Sequence, residues 1–86
     1  MSHFEFILTG NLTPDVEERS KQLLNDNNKY YIPYVIHKYI DEDIGEDKKN
    51  RTIIVHSHLN ISDFLLKKFV NCGLELRVYW KQQIAI

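Results

Sequence analysis

Apolar and polar residues alternate one for one at three places along the chain. In "HFEFILTG", residues 3–10, Phe4, Phe6 and Leu8 fall on one side and His3, Glu5 and Ile7 on the other. A period of two predicts a strand with one buried face. "RTIIVHSHL", residues 51–59, sets Ile53, Val55 and Ser57 against Ile54, His56 and His58. "LELRVYWKQ", residues 74–82, sets Leu74, Leu76, Val78 and Trp80 against Glu75, Arg77, Tyr79 and Lys81. A further stretch, "KYYIPYVIHKYI" at 29–40, is β-branched and aromatic and also predicts a strand. Pro33 inside it predicts a sheet edge, because proline donates no ladder hydrogen bond.

Two segments leave this period. Residues 12–28, "LTPDVEERSKQLLNDNN", predict a helix with Thr13 as N-cap and Pro14 at the first helical position. Asp15, Glu17 and Glu18 place negative charge at the positive end of its dipole. Its apolar stripe, Val16, Leu23 and Leu24, is thin. Residues 60–73 predict a second helix, capped by Asn60 or Ser62, with Ile61, Phe64, Leu65 and Phe69 inward and Gly73 at its stop. The polar segment 41–51 predicts a mobile loop. It lacks the calcium-loop pattern, having Glu46 at the sixth position and Thr52 at the twelfth.

The resulting order is β-α-β-β-α-β. With right-handed crossovers it predicts one α+β domain over residues 1–86. The expected fold is a ferredoxin-like sandwich: a four-stranded antiparallel sheet in the order 4-1-3-2, both helices on one face. The other face of the sheet is left open.

Composition narrows the function classes. A chain of 86 residues supports one core. A net charge of -1 excludes a strongly basic nucleic-acid cloak but leaves room for a local basic patch. Cys72 is the single cysteine, so no internal disulfide is expected and a reducing, cytoplasmic setting fits. Its place at the end of a helix predicts a small core residue rather than a nucleophile. No leader peptide, membrane span or membrane partner is expected. The chain is rich in Ile, Asn, Lys and Tyr, with Ala85 its one alanine. That is the composition of an AT-rich genome, such as that of a virus or phage. There is no phosphate-binding glycine loop, dinucleotide fingerprint or serine elbow, so a non-enzymatic role is the leading expectation.

Topology then places the chemistry. His56 and His58 project to the open face, and the neighbouring first strand brings His3 and Glu5 toward them. The last strand adds Tyr79, Arg77 and Lys81, and the second adds Tyr31. "ILTGNLTPDVEE" and "LRVYW" resemble the first strand, helix start and last strand of an RNA-recognition motif. That resemblance implies a sheet face on which aromatic residues of the first and third strands stack bases. This chain has Leu8, Ile53 and Val55 at those positions. An RNA or single-stranded DNA face would instead use Tyr31, His56, His58, Arg77, Tyr79 and Lys81, with "KKNR" at 48–51 as a basic loop.

Two other classes compete. "HSH" on a central strand resembles the histidine pair of the metal-dependent endonucleases of rolling-circle replication. That implies a divalent metal on His56, His58 and Glu5 as the alternative to no cofactor. Ser57 stands where that family has an apolar residue, and Tyr79 falls on a strand rather than a helix. The third class is protein association. A homodimer is expected from sheets pairing through Ile7, Val35, Ile54 and Tyr79. A viral or phage accessory protein would block a host factor through the sheet face or the edge of the second strand. The apolar tail at 84–86 would dock on a neighbour or extend the last strand.

Overall fold

The computed structural model describes residues 2–29 and 34–82. The elements are β1 (Ser2–Asn11), α1 (Pro14–Lys29), β2 (Tyr34–Gly45), β3 (Lys48–Ser57), α2 (Ser62–Phe69) with a following 3-10 turn (Val70–Cys72), and β4 (Glu75–Gln82). All three strand pairings are antiparallel, and the sheet runs β2-β3-β1-β4. Named from the β4 edge, the same neighbours read 4-1-3-2. One sheet under one helical layer gives extents of 45 × 26 × 20 Å.

The core lies where the alternation places it. Phe6, Leu8, Ile53 and Val55 are fully buried under Val16 and Leu23 of α1 and Leu65 and Phe69 of α2. Hydrogen bonds fasten α1 to the β2 side of the sheet. The Tyr34 hydroxyl donates to the Leu23 carbonyl (3.1 Å) and the Tyr39 hydroxyl to the Ser20 carbonyl (3.3 Å). Ser20 fills the gap in the thin α1 stripe, its own hydroxyl donating to the Val16 carbonyl at 2.7 Å. Both helix starts follow local chemistry. Thr13 Oγ1 accepts the Val16 amide, and Asn60 Oδ1 accepts the Ser62 amide.

The expected ferredoxin-like sandwich, with both helices on one face and the other face open, is corrected in how far the helices cover the sheet. The helices cover the centre of the sheet, Tyr34 of β2 and the start of β4 at Leu76, and leave the hairpin and the rest of β4 bare. Trp80 and Val78, expected inside, do face the helical side but stay 61% and 41% exposed, because helical cover of β4 stops near Leu76. Leu24 of α1 is likewise exposed. The expected loop at 41–51 is a hairpin: β2 runs on to Gly45 and β3 begins at Lys48. Glu46 and Asp47 turn it with φ of 54° and 58°, the left-handed pair that a two-residue hairpin loop requires. "KKNR" is therefore strand. Arg51 within it is bound on both sides, to Asp41 (2.8 and 2.9 Å) and to Glu17 of α1 (2.9 Å), and lies over the Tyr39 ring. Pro33, Tyr31 and the 84–86 tail lie outside the described residues.

One contact ties β1 to the start of β4. A Cβ on Gly10 would stand 2.8 Å from both the Gly73 carbonyl oxygen and Leu74 Cδ2. Gly73 itself holds φ 86°, the left-handed turn that ends the second helical segment. Gly10→Ala is expected to cost about 1–3 kcal/mol, since backbone as well as side chain must move. Urea unfolding would show the lower midpoint.

Candidate functional site: the open sheet face

The register fixes what stands side by side on the uncovered face. Glu5 pairs with His56 on one side and Tyr79 on the other, and Val35 lies beyond His56. The next rung is Lys38, Ile54, Ile7 and Arg77, and the one after it is Ile40, Thr52, Thr9 and Glu75. His3 pairs with Lys81 at the other end.

A single carboxylate oxygen organises the centre. Oε2 of Glu5 accepts from His56 Nε2 at 2.8 Å and from Lys81 Nζ at 2.9 Å. The bond to the carboxylate places a proton on Nε2 of His56. These two donors, Lys81 first, hold the Glu5 carboxyl below its ordinary range, against the opposing effect of burial. The three residues span β1, β3 and β4, so the network staples the three strands together on their wet side.

Imidazoles gather around it. The His37 ring stacks on His56 with centroids 4.4 Å apart and planes at 16°, and His3 lies 5.2 Å from His56 at 57°. A bulge delivers His37. The β2–β3 register shifts between Ile36 and Lys38, so His37 and Lys38 both reach the open side while Ile36 and Tyr39 stay under the helices. Nδ1 of His3 is covered and has no hydrogen-bond partner.

The expected site residues meet this face unequally. His56, Glu5, Lys81, Tyr79 and Arg77 share it. His58 does not join it as expected: β3 ends at Ser57, and His58 sits exposed in the bend that follows. The pair His56–His58 with Glu5 is thus not assembled. Among the described residues, no three His, Cys, Asp or Glu side chains are grouped to hold a metal ion. His37 and Lys38 were missing from the expected set. The signal was present in "VIHKY", where Ile36 and Tyr39 are both inward types three apart, a spacing that only a bulge reconciles with a strand.

A cleft of about 300 Å³ lies on the opposite side, lined by Glu17, Ser20, Lys21, Leu24, Tyr39 and Arg51. Its guanidinium is already saturated by Asp41 and Glu17, which leaves little to recognise a ligand.

Among the described residues, two carboxylates with lowered pKa, Glu5 and Asp41, give an acid limit. Each is more acidic folded than unfolded, so each adds stability above its unfolded pKa and loses it as pH falls through the folded one. Thermal denaturation should therefore hold steady near neutrality and decline below about pH 4.5. Glu5→Gln should flatten part of that decline. An unchanged profile in Glu5→Gln would count against the network.

No protein-family model and no curated protein matches the chain. Solved structures do share its fold. The de novo designed protein Foldit4 superposes with a TM-score of 0.55 at 9% identity, over 96% of this chain and 98% of that one. LarC2 is the C-terminal domain of a cyclometallase involved in synthesis of the NPN cofactor of lactate racemase. It gives a TM-score of 0.52 at 13% identity over 95% of this chain and 58% of its own. At these identities the likeness concerns backbone arrangement alone. No helix among the described residues is long and apolar enough to cross a membrane.

Proposed function

We propose that the chain is a small binding protein whose open sheet face takes single-stranded nucleic acid, RNA first. The observation that carries this is the segregation of charge. Acidic side chains crowd the hairpin and the first turns of α1: Asp41, Glu42, Asp43, Glu46, Asp47, Asp15, Glu17 and Glu18. The open face instead carries Lys38, Arg77 and Lys81 among three imidazoles, against two acids: Glu5, already engaged by Lys81 and His56, and Glu75, 4.0 Å from Arg77 at the far end of β4. An anion approaching a nearly neutral molecule is thereby steered to one side. Tyr79 and His37, both exposed, offer flat rings between these cations, the combination a single strand uses for stacking with phosphate contacts.

The single cysteine, Cys72, is free, which supports a reducing cytoplasm as the setting. The test is fluorescence anisotropy of a labelled oligouridylate, repeated with oligothymidylate, across a salt series. Binding that weakens steeply with salt supports the reading. No binding at low salt rejects it.

A further inference from the structure

The two edges of the sheet are built differently. The β2 edge is guarded by two register shifts and by Asp41, Glu42 and Asp43. The β4 edge has no register shift, and its charges, Glu75, Arg77 and Lys81, are of mixed sign rather than one. It pairs with β1 through eight successive residues without a bulge, from Ser2–Gln82 to Thr9–Glu75, and its outer side is open. It also displays Trp80, the most exposed large apolar side chain among the described residues, with Val78 beside it. A regular edge strand with apolar side chains is a template for another strand.

We infer that β4 pairs antiparallel with β4 of a second copy, about a two-fold axis through Val78. The β4 sequence is self-complementary in that register and in no neighbouring one. Centring on Val78 sets Glu75 against Lys81 of the second copy and Arg77 against its Tyr79, both on the open-face side. On the helical side it sets Leu76 against Trp80 and Val78 against itself. Opposite charges meet, a guanidinium meets an aromatic ring, and apolar meets apolar. Each contact occurs twice, as an isologous interface demands. Centring on Arg77 would oppose two arginines, and centring on Tyr79 would oppose Arg77 to Lys81. Both neighbouring registers that keep the faces aligned are thus penalised by like charge. The product is one eight-stranded sheet whose two open faces run together, with Trp80 covered at the seam.

Sedimentation from micromolar to millimolar concentration tests this, with the emission of Trp80, the single tryptophan. The expected result is a concentration-dependent dimer whose formation shifts Trp80 emission to the blue. Glu75→Lys, at an exposed site, turns two attractions into repulsions and should weaken the dimer about tenfold or more. Val78→Cys, in a Cys72→Ser background, should give a disulfide-linked dimer under mild oxidation, while Leu66→Cys in the same background should not. A chain that stays monomeric at millimolar concentration overturns the inference. So does a dimer that Glu75→Lys leaves unchanged and Val78→Cys fails to cross-link.

Discussion

Phe6→Ala should lower folding stability by about 3–5 kcal/mol, a large share of the roughly 5–10 kcal/mol a domain of this size possesses. Phe6 is fully buried on a central strand, on the rung between Val55 and Val78, with the Phe4 ring 6.1 Å away. Truncation removes the ring from beneath both helices and leaves a space that β1, hydrogen-bonded on both sides, cannot close by moving. Phe6→Leu keeps most of the volume and should cost less than about 1.5 kcal/mol. Trp80→Ala supplies the contrast, since a residue so exposed should change monomer stability by only about 0.5 kcal/mol. Urea titrations of the three variants, at concentrations too low for association, check the ranking. A Trp80→Ala cost equal to that of Phe6→Ala would mean that helical cover reaches Trp80 at the far end of β4.

Reversing two open-face cations, Lys38→Glu with Arg77→Glu, should reduce affinity for a single-stranded oligonucleotide on the order of a hundredfold and lower the salt slope by about two. The two residues sit on one rung but on opposite edge strands, β2 and β4, with Ile54 and Ile7 between them. A strand bound across the sheet would meet both. Lys38→Glu alone should account for about tenfold, and it lies away from β4, so its effect separates ligand contact from strand pairing. Lys67→Glu is the control, because Lys67 is exposed on α2 on the far side of the sheet. If Lys67→Glu weakened binding as much as Lys38→Glu, the attraction would be general rather than a property of this face.

How much of this the sequence displayed depends on what each signal encodes. Alternation in β1, β3 and β4 assigned every central residue to its side, because the two-residue period is a direct consequence of backbone geometry. It did not say how far cover extends, which is why Trp80 was expected inside: facing the helical layer and lying beneath a helix are different facts. The hairpin was hidden because acidic residues disfavour strands only weakly when both faces are wet. Asp41 and Glu42 pair with Arg51 and Asn50 there at little cost. His58 was assigned to the open face by extending β3 two residues beyond its end. His37 was missed for the complementary reason, since a bulge breaks the period that made the other positions readable. The Glu5–His56 neighbourhood was legible, because antiparallel register follows once strand order and faces are set. The shared oxygen that joins Lys81 to the pair was not, since it depends on side-chain rotamers.

The proposed ligand surface is the open sheet face. Chemical-shift mapping of the isotope-labelled chain with a short oligouridylate tests it most directly. Binding there would concentrate shifts at His3, His37, Lys38, His56, Arg77, Tyr79 and Lys81, with α1 and α2 quiet. Shifts confined to the helical layer, or absent at saturating oligonucleotide, would contradict it.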